Sequence, residues 1–239
     1  MDSNIIEFST LPATCEYLKN ETFTNHYKYI FDCSFELNSK LVKGGWRRFG
    51  KYFLRPNCKD CNQCKSLRID VENFKFSKSA RRVINKNKDT KTVICSPTCT
   101  FETLDLYAKY HKFMHTKRSW KYYDITVQAY NEFYVDGANS FGREALYFVD
   151  KKLAGVDLFD FADDGISSIY FFYDPEYSHL SLGKYSIYRQ ILLAKEKNLK
   201  YIYLGHYVEN CQSLKYKAQY KPYELLVELP EFNEDIDWR

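Results

Sequence analysis

The stretch EALYFVDKKLAGVDLFDFADDGISSIYFFY, residues 144–173, decides the fold. It divides into three strand-like runs, Glu144–Asp150, Leu153–Ala162 and Gly165–Tyr173. The joins are short, Lys151-Lys152 and Asp163-Asp164-Gly165, so the runs read as an antiparallel meander. Leu182–Lys197 follows as a helix, closing on Lys195 and Lys197 before Asn198, a favourable C-terminal arrangement. A short strand at Tyr201–Leu204, a helix near Cys211–Tyr216 and a strand near Tyr223–Leu229 come after it.

Upstream, residues 23–33 alternate, with Phe23, Tyr27, Tyr29, Phe31 and Cys33 on one face, as in a strand. Ser34 can cap a helix to about Lys43 that Gly44-Gly45 would end. Trp46–Leu54 reads as a basic, aromatic strand and Leu67–Val71 as a short one; Ser77–Lys88 reads as a strongly basic helix. Helices over about Glu102–His115 and Thr126–Tyr134 precede the meander. Pro97 marks a boundary, so two domains are expected: a basic, cysteine-bearing one over 1–97 and a second over 98–239. The expected class is α+β. The order meander, helix, strand, helix, strand resembles the acyltransferase fold of the GNAT superfamily, and a fold alone does not fix a chemistry.

A hydrophobic fraction of 45% in 239 residues is ample for a core and excludes a disordered chain. The 22 Tyr and 18 Phe suit strands, with stacking surfaces or a pocket wall as the other use. The opening MDSNIIEFSTLPATC has neither a basic nor an apolar signal-peptide region, and no apolar run reaches about 18 residues. A cytoplasmic location, no membrane partner and reduced thiols are therefore expected. Lys40–Lys91 holds 16 Lys/Arg against 4 Asp/Glu, a net +12 in a chain whose total is +4. Such a block reads as a polyanion-binding region, nucleic acid first.

Cys58, Cys61 and Cys64 form CxxCxxC, and Cys15 is a plausible fourth ligand. Four thiolates suit zinc and an iron–sulfur cluster equally, so the metal stays open. GWRRFGKYFLRP interleaves Arg47, Arg48 and Lys51 with Trp46, Phe49 and Tyr52. On the basic helix, Lys78, Arg82 and Lys86 recur every four residues beside Arg81. A phosphate backbone would offset these like charges, with Trp46 either stacking on a base or packing inward.

Taken in order, these motifs resemble the arginyl-tRNA–protein transferase family, whose short bacterial branch is the aspartate/glutamate leucyltransferases. The matching pieces are CEYL at Cys15–Leu18, GWRRFG at Gly45–Gly50, RPNCKDCNQCKSLRI at Arg55–Ile69 and SKSARRVINKN at Ser77–Asn87. LYAKYH at Leu106–His111, SSIYFFYDPE at Ser167–Glu176, SLGKYSI at Ser181–Ile187, YLGHYVENC at Tyr203–Cys211 and LKYKAQYKPYELL at Leu214–Leu226 continue the series. The resemblance implies a GNAT-like transferase fold with an N-terminal cysteine-containing domain. It implies an enzyme that moves leucine from leucyl-tRNA to the N-terminal Asp or Glu of proteins, marking them for degradation; arginine from arginyl-tRNA is the alternative. Eukaryotic relatives carry a CGYC pair where this chain has Cys15-Glu16-Tyr17-Leu18, so only one of that pair is present.

The donor ester is already activated, so aminoacyl-tRNA is the co-substrate and no ATP or other nucleotide cofactor is expected. In GNAT-type folds the cleft opens beside the splayed central strands. That points to Tyr173, Asp174, Tyr216 and Lys217 as catalytic candidates, and to Ser181, Leu182 and Gly183, at a helix start, as a seat for the tRNA terminus. Trp46, Arg47, Arg48, Lys51, Lys78, Arg81, Arg82 and Lys86 are the other tRNA-binding candidates; Arg47, Arg48 or Lys217 could also meet an acidic acceptor. Two rival readings exist. An acetyl-CoA-dependent acetyltransferase would carry a Q/R-x-x-G-x-G/A loop, and HLSLGKYS has one Gly. A non-enzymatic RNA-binding protein would leave the second half without a use.

Overall fold

Local signals set the element boundaries in the computed structural model of the chain, which describes residues 4–230 and 234–239. The first three residues of the opening stretch read above lie outside the described residues. The chain starts with β1 (Ile5–Ser9), the short pair β2 (Ala13–Thr14) and β3 (Thr22–Phe23), and β4 (Asn25–Ile30). Ser34 then caps α1 (Phe35–Lys43), accepting from the Leu37 N–H at 3.1 Å. β5 (Arg47–Phe49), β6 (Tyr52–Pro56) and β7 (Lys65–Asp70) follow, then α2 (Lys78–Lys86), capped by Ser77, and β8 (Lys91–Cys95). α3 (Phe101–Arg118) starts in a Thr100/Thr103 capping box, and α4 (Val127–Tyr130) runs into a π turn. β9 (Gly142–Val149), β10 (Lys152–Phe161), β11 (Gly165–Tyr173), α5 (Leu182–Glu196), β12 (Tyr201–Tyr207) and β13 (Tyr223–Leu225) complete the order.

Among the described residues these strands form a four-stranded sheet, β1-β4-β6-β5, and a seven-stranded one, β13-β7-β12-β11-β10-β9-β8. The meander is the centre of the second sheet, as its turns require, and α5 follows it; the class is α+β. α2 and α5 cover one face, burying Leu67, Ile69, Ile166, Ile191 and Ile202. α3 covers the other, over Val156, Leu158 and Phe172. Each such fully buried side chain contributes about 1.5–3 kcal/mol.

Several expectations change. The strand expected over Trp46–Leu54 is a hairpin, β5–β6, turned at Gly50, whose φ of 61° favours a residue without Cβ. The alternating face of residues 23–33 points outward: Phe31 is exposed and Tyr27 and Tyr29 half-buried, while Lys28 and Ile30 are buried. β8 was not anticipated; its Thr-Val-Ile run pairs with β9. β7 and β8, both from before the boundary expected at residue 97, enter the same sheet as the second half. The helix expected near Cys211–Tyr216 is a 3-10 turn over Lys215–Gln219. Among the described residues no helix is long and apolar enough to cross a membrane.

Candidate active site

β11 and β12 run parallel and pair only over Gly165–Ser167 and Tyr201–Tyr203; beyond that they part. Arg47, from β5, spans the gap. Its Nη1 donates to the Leu204 carbonyl at 2.8 Å, and its Nη2 donates to the carbonyls of Ser168 at 3.1 Å and Ile169 at 2.8 Å. One guanidinium thus ties the two strands where their own ladder has stopped. Strand alternation sends the next residue the other way. Arg48 grips Asp160 with two bonds of 2.7 Å, and both side chains are buried.

Gly205 lies directly against Arg47. Its φ is 70°, and a Cβ built there would land on the guanidinium, so the position requires glycine. The next residue, His206, is buried, and its carbonyl accepts from Lys217 Nζ at 2.6 Å. The His206 Nε2 is buried with no partner among the described residues. Neither Arg47 nor Lys217 has an ion pair there. Burial, then the neighbouring Arg47, pulls Lys217 well below the usual lysine range. Burial, Arg47 and Lys217 together keep His206 neutral. Tyr17 and Tyr216, 39% and 45% exposed, flank Arg47 on the solvent side.

Aromatic rings continue the wall. Tyr110 packs 5.3 Å from Tyr173, and Tyr110 adjoins the rim where Tyr216 sits. Behind them Tyr107 stacks on His111 at 3.9 Å, and His111 Nε2 meets the Tyr170 hydroxyl at 2.8 Å. Burial lowers His111 to about 4, so it is neutral near pH 7. α5 begins at Ser181, which has a left-handed φ of 57° and makes no side-chain cap. The strand gap thus brings together two basic side chains without acidic partners among the described residues, beside a rim of tyrosines.

Two family models match the chain: "Arginine-tRNA-protein transferase, N terminus" over residues 13–82 and "Arginine-tRNA-protein transferase, C terminus" over residues 102–227. The chain belongs to the arginine-tRNA-protein transferase family. It is 52% identical to an "Aspartate/glutamate leucyltransferase" of Campylobacter jejuni subsp. jejuni, over 98% of each chain. It is 35% identical to a protein of that name from Helicobacter hepaticus, over 98% of this chain and 97% of the other. Among solved structures, "The structure of L-PGS from Bacillus licheniformis" is similar with a TM-score of 0.45 and 13% identity, covering 61% of this chain and 46% of that one.

Within this transferase the expected site residues divide. Lys217 and Tyr216 meet at the gap with Arg47. Tyr173 stacks on Phe171 in the wall. Asp174 instead holds local structure, accepting from the Glu176 N–H at 3.0 Å and pairing with Lys109 at 2.8 Å. Ser181 and Gly183 are half-buried at the α5 start and Leu182 is buried in the core. Of the expected tRNA surface, Trp46 is buried with Arg55 at 4.6 Å and Lys28 at 5.0 Å from its ring, so it offers no open face to a base. Arg47 and Arg48 are occupied as described. Lys51 is half-buried in the β5–β6 turn. Lys78, Arg81, Arg82 and Lys86 are exposed along α2, as the four-residue spacing implies.

Sequence reasoning missed His206, and also the basic end of α3. Lys112, Lys117, Arg118 and Lys121 are exposed, and Arg118 reaches the rim at Tyr110. The available signal was the lack of any acid between Asp105 and Asp124. Cys15, Cys58, Cys61 and Cys64 are free thiols. They lie near one another and near Cys211, and burial with these neighbours pushes the Cys64 thiol up to about 12. Yet no three His, Cys, Asp or Glu side chains among the described residues are placed to hold a metal ion. A bound metal needs converging ligands. The zinc or iron–sulfur expectation is therefore unsupported by the described residues.

Proposed function

We propose that the protein transfers leucine from leucyl-tRNA to the N-terminal Asp or Glu of acceptor proteins, creating an N-terminus that marks them for degradation. The observation that carries this reading is the pair of basic side chains without an acidic partner among the described residues, half-buried Arg47 and buried Lys217, at the parting of β11 and β12 in a chain of this family. The relatives' names supply the donor and the acceptor class.

The chemistry asks little of the side chains. The acceptor α-amine, with an ordinary pKa of about 7.7–8.0, is partly neutral at working pH. It attacks the leucyl ester carbonyl, a C–N bond forms, the C–O bond to the tRNA ribose breaks, and the amine proton ends on the departing ribose oxygen. Holding amine and ester together supplies most of the acceleration. An aromatic wall of Tyr110, Tyr173 and Tyr216 suits a leucine side chain. An arginine donor would ask for a carboxylate there, and Asp174 and Glu176, which follow β11, are both held by Lys109 at 2.8 and 2.7 Å. The exposed cations of α2 and of the α3 end suit the phosphate backbone of the tRNA. Since charged tRNA is cytoplasmic, so is the proposed site of action.

The test is a transfer assay with peptides starting in Asp, Glu, Arg, Lys or Ala, each given labelled leucyl-tRNA or arginyl-tRNA. Leucine on Asp and Glu alone is the expected result. Arginine on the same two would overturn the donor, and no transfer from either tRNA would overturn the function.

A further inference from the structure

Half-buried Arg47 and buried Lys217 and His206 adjoin one another around Gly205. Like charges brought out of water cost free energy unless an anion joins them. No carboxylate is paired with either side chain among the described residues, and the titratable groups recorded beside Lys217 are Arg47, His206 and Cys211. Donor capacity is also left over. Arg47 uses three of its five N–H groups on strand carbonyls, and Lys217 uses one of three on His206. The Nε2 of His206, a residue more than nine-tenths buried, has no hydrogen-bond partner among the described residues.

We propose that Lys217 and Arg47 form the pocket that reads the side-chain carboxylate of the acceptor's first residue, with His206 Nε2 as a third contact. This rests on the acceptor class proposed above. The choice of anion follows from what reaches the gap. The donor end of leucyl-tRNA carries an α-ammonium and an uncharged ribose, which the cluster does not attract. Its phosphates have exposed cations on α2 and α3. The acidic acceptor is the partner that brings a compact anion to the transfer point, and a carboxylate offers about four lone-pair sites to the donors left unused. The same cluster repels an acceptor that begins with Lys or Arg, so it selects by repulsion as well as attraction. Lys217 is then a specificity residue rather than an oxyanion stabiliser, and the two roles separate kinetically.

The experiment uses the full chain, leucyl-tRNA and two peptides that differ only in Asp or Asn at the first position. Lys217→Met, similar in length and uncharged, is expected to raise KM for the Asp peptide about 10- to 100-fold. The Asp-over-Asn preference should collapse, and KM for leucyl-tRNA should stay within about twofold. Lys217→Arg should recover part of the preference. A fall in kcat with an unchanged KM for the Asp peptide would assign Lys217 to the oxyanion and overturn the proposal. Unaltered enzyme gives a second reading that no misfolded variant can blur. Calorimetry with the free dipeptides Asp-Ala and Asn-Ala should show binding of the first at least tenfold tighter; equal binding overturns the pocket. If Asp-Ala binds selectively and no leucine is transferred, the functional reading fails while the pocket stands.

Discussion

Asp157 sits in the middle of β10 with its carboxyl fully buried, bonded to Gln190 Nε2 at 3.0 Å and to the Tyr147 hydroxyl at 3.4 Å, and to no cation among the described residues. Burial pushes it from 3.8 up to about 7. Between those two pH values the folded chain holds a proton that the unfolded chain has released. This group's contribution is therefore complete below about pH 4 and is lost as the pH rises towards 7. Asp157→Asn should remove that slope and make the protein more stable than the parent at pH 8 by up to about 4 kcal/mol, with little difference at pH 4. Urea unfolding at the two pH values measures it; parallel curves would rule it out. Arg48 makes the opposite case. Arg48→Met strands the buried Asp160 and should cost about 3–5 kcal/mol in the same assay, more than the double change to Met and Asn. Arg47 and Arg48 stand side by side in a motif whose basic character was plain from composition. Their separate uses were not legible, because the partners lie more than 100 residues away in sequence and strand alternation decides which arginine meets which.

At the scale of elements, the sequence spoke most clearly where caps and periodicity agree. α1, α2 and α5 begin and end within about two residues of their signals, and the meander follows its turns. It spoke least where one glycine folds a basic strand into a hairpin, and where a short β-branched run, Lys91–Cys95, becomes an edge strand through its pairing with β9. α2 carries its charges outward with Ala80 buried beneath. The triple change of Lys78, Arg82 and Lys86 to Gln should therefore leave the melting temperature nearly unchanged. It should weaken tRNA binding uniformly across tRNA species and flatten the salt dependence by up to about three phosphate contacts. Filter binding between 50 and 200 mM salt reads this directly; an unaltered slope would remove α2 from the tRNA surface.

The whole molecule is closed by its last residues. Trp238 packs 5.6 Å from Tyr203, with Arg68 4.6 Å from its ring, and its Nε1 donates to the Lys43 carbonyl at 3.1 Å. The Leu225 N–H donates to the Arg239 carbonyl at 2.6 Å. Trp238 is half-buried, so Trp238→Ala should cost about 1–3 kcal/mol and lower the melting temperature by a few degrees. It should do so without changing the Asp-over-Asn preference, because the indole's contacts with Tyr203, Arg68 and Lys43 do not include Arg47, His206 or Lys217. A calorimetric scan beside the peptide assay tests both halves of that statement.

β7 has a consequence for how the protein is made. It ends at Asp70, yet it lies between β12, which starts at Tyr201, and β13, which starts at Tyr223. A ribosome adding about 5–20 residues per second leaves both edges of β7 unmatched for on the order of ten seconds. During that interval the nascent chain displays a sticky, half-apolar segment, SLRI. Any stall before codon 201 therefore yields a fragment with both edges of β7 unpaired, and a frameshift in the last third endangers the first third as well as the part it deletes.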